Sequence, residues 1–130
     1  MQVDLLKICM VGAGGFLGAS SRYVLSELVQ AKFPLSTYPY GTTFVNIIGC
    51  FLIGFLIALF AIKNWGNEEL RLFVFVGILG GFTTFSTFAN DSYQLFKEGE
   101  FLLGLVNSGG QVLIGLIFVW LGYSLVKLIF

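Results

Sequence analysis

The chain contains no histidine and only two cysteines and two prolines, and just 11% of its 130 residues are charged. Each shortage closes off a class of chemistry. Without histidine, the usual general base near neutral pH and the commonest metal-binding imidazole are missing. Cys9 and Cys50 stand alone in apolar segments with no C-x-x-C spacing, which supports neither a zinc site nor a structural disulfide. No buried carboxylate pair and no nucleophile–base set can be assembled, so an enzyme is not indicated. Seven Lys plus Arg balance seven Asp plus Glu. A zero net charge offers no footprint for nucleic acid and no polybasic membrane anchor.

What the chain has is apolar mass: 57% hydrophobic residues, 15 phenylalanines, 17 glycines and a mean hydropathy of +0.92. A soluble domain carries about 25% charged residues, so this composition belongs to a membrane protein. Apolar segments recur at about residues 5–29, 42–62, 71–96 and 102–127, each meeting the roughly 20 residues that a helix needs to cross hydrocarbon. Together they fill the chain, which predicts an all-α integral membrane protein with a single transmembrane domain, 1–130. The run after Lys7 has no cleavage signal and is followed by more spans of the same kind, so it is read as the first span rather than a secretory leader. AKFPLSTYPYG places both prolines with Tyr38 and Tyr40 in the first connection, suited to a membrane–water interface.

With four spans, Lys7, Lys63, Arg71 and Lys127 fall on one side of the membrane, and Lys32, Lys97 and Arg22 on the other. Orientation follows such Lys and Arg counts, and this one is nearly balanced. Dual topology follows as an expectation, with two opposed copies paired about a two-fold axis in the membrane plane.

GILGGFTTFSTF (77–88) sets two adjacent glycines and four hydroxyl residues in the middle of an apolar run. Gly80-Gly81 followed by Thr83-Thr84 has weak helix propensity, so the third helix either breaks here or kinks with its hydroxyls bonded to the preceding turn. Broken backbone at this depth must be buried or line a wet path, and its freed carbonyls suit a cation. Phe85 and Phe88 fall on neighbouring turns, as core or as ring edges that attract an anion. In the second span, Thr42, Asn46 and Gly49 or Cys50 share a stripe. Asn107, Ser108 and Gln111 repeat that polar pattern in the fourth span. Both sets serve either as interhelical glue or as a path of neutral donors. Arg22 either pairs with Glu27 or reaches the interface. Asp91, beside Asn90 and Ser92, lines a vestibule or caps a helix region. The pairs Gly14/Gly18 and Gly77/Gly81, with Gly49 and Gly54, have the spacing of close helix packing.

GAGGFLGASSRY (12–23), GTTFVNIIGCFLIG (41–54) and GILGGFTTFSTF (77–88), in that order in a chain of this size, resemble the Fluc (CrcB) family of fluoride channels. The resemblance implies an antiparallel dual-topology homodimer in the cell (inner or plasma) membrane, with two fluoride pores and a central structural sodium ion. The sodium would be held by backbone carbonyls matching Gly80 and Thr83, contributed by both subunits. Phe85 and Phe88 would be ring-edge fluoride contacts, Asn46 a pore donor, and Arg22 a residue near a pore entrance. Thr42, Thr84, Ser86, Ser108, Asn107 and Gln111 would complete a neutral lining. Family members often have Tyr and Ser where Asn107 and Gln111 stand, and Glu in place of Asp91. A passive channel of this kind exports fluoride that has entered as its weak acid, giving fluoride resistance. Two other readings compete. A dual-topology drug or cation transporter would need an ionisable residue in mid-span, and none is there. A non-conducting assembly subunit would tolerate Asn46→Leu and Phe85→Ile, which a channel would not.

Overall fold

A computed structural model describes residues 4–130, all of them helical or in short connections. Its four long apolar helices run Leu5–Gln30, Tyr40–Lys63, Glu68–Lys97 and Phe101–Ile129, each extending slightly past the segment read from hydropathy. Polar side chains and turn residues add the difference. Asp4 accepts the Leu6 N–H and opens the first span, while Pro39 stands at the N-terminus of the second. Asn64 (φ 50°) and Gly66 (φ 87°) take left-handed backbone to end the second span, and Asn67 caps the third by accepting from Leu70 N. The turn before the fourth span uses Gly99 (φ 81°).

The spans pack as two pairs. The first lies along the first half of the third, and the second lies along the fourth, with the pairs joined where the first and second spans meet. Glycine sets the spacing of both pairs. A methyl group on Gly14 would meet Gly77 Cα at 2.9 Å, and one on Gly18 would meet Phe82 N at 2.8 Å. In the other pair, a methyl on Gly122 would meet Phe55 N at 2.9 Å. Lipid provides no hydrophobic drive between helices, so backbones this close gain their attraction from dispersion over the contact. An ion pair from Lys7 to Glu68 ties the start of the first span to the start of the third.

Most large apolar side chains point outward, as a lipid-facing surface requires, and the enclosed core is small: Val45, Ala58, Phe60, Leu79, Phe82, Phe88, Leu95 and Val126. Two helices depart from α geometry. Leu72–Leu79 and Val106–Gly110 are π-helical, and each immediately precedes polar or glycine residues of the candidate site. The third span is interrupted at Thr83 and Thr84, and its second half, Phe85–Lys97, packs against the start of the fourth.

Candidate functional site

The interruption is built from local chemistry. The helix through Gly80–Phe82 closes on Leu79, whose carbonyl accepts both the Thr83 N–H (3.0 Å) and the Thr83 hydroxyl (2.9 Å). Thr83 (φ −93°, ψ 162°) and Thr84 (φ −152°, ψ 124°) are then extended. Helix resumes at Phe85 with Thr84 as its cap, its Oγ1 accepting from Thr87 N at 3.2 Å. The back-bonded hydroxyl and the break, alternatives at the level of sequence, occur together at adjacent residues.

Extended backbone inside an apolar protein must find partners. Arg22 donates to Thr83 O (3.2 Å), reaching inward to the break rather than pairing with Glu27 or turning to the interface. Asn46 serves Thr84 twice: its Oδ1 accepts the Thr84 N–H (2.9 Å) and its Nδ2 donates to Thr84 O (3.2 Å). Thr84 N–H is therefore not spent on Gly80 O, the bond an unbroken helix would make. Asn46 Nδ2 also donates to Gln111 Oε1 (2.6 Å), and Gln111 Nε2 donates to Asn107 Oδ1 (3.0 Å) and Thr43 Oγ1 (3.2 Å). Asn107 donates to Ser92 Oγ (2.9 Å) and is fully enclosed.

An open groove of about 410 Å³ lies between the first half of the third span and the second and fourth spans. Its polar wall holds Asn46, Thr83, Thr84 and Gln111, with Phe85 and Phe88 beside them; Gly80 lies on its rim, and Val112, Leu116 and Val119 supply much of its apolar wall. The two phenylalanine rings are 5.7 Å apart and tilted by 51°. Phe88 is buried, but Phe85 is 78% exposed. A methyl group on Gly80 would meet only Phe75 O, at 3.7 Å, so nothing within one copy of the chain requires glycine there. Beyond the break, a second cavity of about 200 Å³ gathers Arg22, Ser26, Thr42, Thr84 and Thr87. Asp91 stands close to Thr42, with Oδ2 buried and unpartnered.

The structure thus divides the residues expected from the sequence. Asn46, Asn107 and Gln111 share one network. Thr42 is not part of it: it faces Arg22 across the smaller cavity, and Thr43 occupies the network place that the i, i+4 stripe had suggested for Thr42. Ser108 bonds back to Gly104 O (2.7 Å), and Ser86 is exposed and lines neither space. Thr43 and Thr87 belong to the site without having been assigned a role from the sequence; Ser92, named only beside Asp91, and Tyr38, read as interfacial, join it too, the Tyr38 hydroxyl lying 3.3 Å from Thr43 Oγ1. Among the described residues, no group of three or more Cys, Asp or Glu side chains could hold a metal.

Residues 9–123 match the family described as CrcB-like protein, Camphor Resistance (CrcB). The chain belongs to the CrcB family. Its CrcB relatives include proteins named fluoride-specific ion channel FluC from Elusimicrobium minutum, 41% identical over 96% of this chain and 97% of the relative, and from Ruminiclostridium cellulolyticum, 44% identical over 97% and 96%. A third, from Aquifex aeolicus, is 43% identical over 88% of this chain and 92% of its own. These CrcB proteins are named as ion channels, not enzymes. With four apolar spans, the present chain is a multi-pass membrane protein of that family.

Proposed function

We propose that the chain is a fluoride-selective channel giving passive export of fluoride across the cell membrane, acting as an antiparallel dual-topology homodimer with two pores. The observation that carries this reading is the interrupted third span. Neutral donors surround its break and two phenylalanines flank it, in a chain over 40% identical to relatives named fluoride-specific channels. Fluoride is small and strongly hydrated, so a path that admits it must offer close hydrogen-bond donors and ring edges in place of water. Fixed ammonium groups along the path would hold the ion instead of releasing it. Thr42, Thr84 and Thr87 hydroxyls, with Phe85 and Phe88, fit that requirement; the Asn46 amide holds Thr84 beside them, and Arg22 draws anions to the entrance.

The second copy explains the open groove. Its mostly apolar wall, the exposed Phe85 and the uncrowded Gly80 are features of a surface to be covered, and a chain with no net charge and near-equal Lys and Arg on its two sides suits two opposed copies. At such an interface the donor set fits a structural sodium ion. Gly80 O is freed from its helical donor and Thr83 O keeps one lone pair beside Arg22, giving two oxygens per copy and a hard, all-carbonyl site. Bound there, sodium would supply charge that joins the two breaks.

The test is fluoride efflux from liposomes holding the purified protein, with chloride as comparison and Phe85→Ile alongside. Efflux of fluoride but not chloride, lost in the variant, supports the channel. No efflux from folded, dimeric protein overturns it.

A further inference from the structure

We propose that Gln111 and Asn107 are positioning residues of this channel, orienting the Asn46 amide so that it holds the third-span break in its conducting geometry. The inference rests on the channel reading above and adds two residues that need not touch the ion.

A chain of hydrogen bonds, all running in one direction, links these residues. Thr84 N–H donates to Asn46 Oδ1 (2.9 Å), Asn46 Nδ2 to Gln111 Oε1 (2.6 Å), Gln111 Nε2 to Asn107 Oδ1 (3.0 Å), Asn107 Nδ2 to Ser92 Oγ (2.9 Å), and Ser92 Oγ to Phe88 O (2.9 Å). The chain begins and ends on backbone groups whose polarity cannot invert, an N–H and a C=O. Turning over any one of the three amides sets donor against donor on its Thr84 side; on the other side Asn46 or Gln111 would set acceptor against acceptor, and Asn107 would draw the Ser92 hydroxyl away from Phe88 O. Both ends lie on the same element, at its Thr84 cap and one turn later at Phe88. The circuit leaves the break through the second span, crosses the fourth and returns. Bonds aligned in this way polarise one another, and the enclosure of Asn107, Gln111 and Ser92 makes any missing link expensive.

Donor accounting separates positioning from direct contact. Asn46 spends its two amide hydrogens on Gln111 and Thr84 O, and Gln111 spends its two on Asn107 and Thr43. Neither has a hydrogen left for an anion while the chain is intact. What the chain controls is the place of Thr84, and through it where the Thr84 hydroxyl and the Phe85 and Phe88 rings stand in the groove.

The experiment compares wild type, Gln111→Met, Asn46→Leu and the double variant, reconstituted in liposomes, reading fluoride efflux and amide hydrogen exchange at Thr84. Leaving a buried amide unpaired should slow efflux by about tenfold or more in Gln111→Met and speed Thr84 exchange by a similar factor. The double variant should be no slower than Asn46→Leu alone. Gln111→Glu guards against misfolding. As a neutral acid its O–H can donate to Asn107 while its other oxygen accepts from Asn46, so efflux should be retained at low pH and fall as the pH is raised through its ionisation. Additive losses in the double variant, unchanged Thr84 exchange in Gln111→Met, or a Gln111→Glu profile as flat as wild type would overturn the proposal. If wild type passes no fluoride the channel reading fails, and Thr84 exchange alone then decides whether Gln111 holds the break.

Discussion

At the scale of single residues, the break depends on a few side chains that replace lost helical bonds. Arg22 is one of them, and its removal leaves Thr83 O without its donor. Arg22→Ala is expected to lower stability by about 1–3 kcal/mol, read as a drop in the detergent melting temperature, together with slower fluoride efflux. Arg22→Lys should restore charge but not the reach and planar geometry of the guanidinium, recovering efflux only in part. A melting temperature for Arg22→Ala equal to wild type would show that the bond contributes nothing. Residue types were legible in the sequence here, but partners were not. Asn46 and Gln111 stood out because amides are costly in lipid, whereas the choice between Thr42 and Thr43 depends on how the second span is rotated, and either hydroxyl lies within a turn of Asn46. Arg22 was read against its sequence neighbour Glu27, and its actual partner is 61 residues away.

At the scale of elements, the four spans could be read from hydropathy almost to their ends, and the spacings Gly14/Gly18 and Gly77/Gly81 foretold where backbones would touch. Substitution should separate crowded glycines from open ones. Gly18→Leu forces a side chain against the carbonyl of Ile78 and the backbone of Phe82, so it is expected to cost well over about 1–3 kcal/mol and to leave little folded protein. Gly12→Ala meets nothing within 4 Å and should melt as wild type does. Equal yields of the two variants by size-exclusion chromatography would contradict this packing. The π-helical runs at Leu72–Leu79 and Val106–Gly110 had no signal in the sequence. Apolar periodicity reports which face is buried, not how the backbone bonds along the axis.

At the scale of the whole molecule, one copy is open along a groove that its own side chains do not fill. If a second copy covers it, Leu116→Lys should convert a dimer into a monomer near 14.3 kDa of protein mass in detergent, as light scattering would read it. A wild-type protein already monomeric would remove the paired arrangement. In a variant lacking Cys9 and Cys50, a single cysteine at Asn64 should be labelled by an impermeant reagent in about half of the copies if the chain inserts both ways, because its Lys and Arg residues are nearly balanced. Uniform labelling or uniform protection would exclude dual topology. The amide circuit also bears on how the molecule is made. Asn46 enters the bilayer 38 residues ahead of Thr84 and 65 ahead of Gln111, so when its span inserts neither partner has yet joined it in the membrane. Until the last span arrives, the nascent chain must shelter a polar amide in oil, which makes the final helix the step that commits the break to its shape.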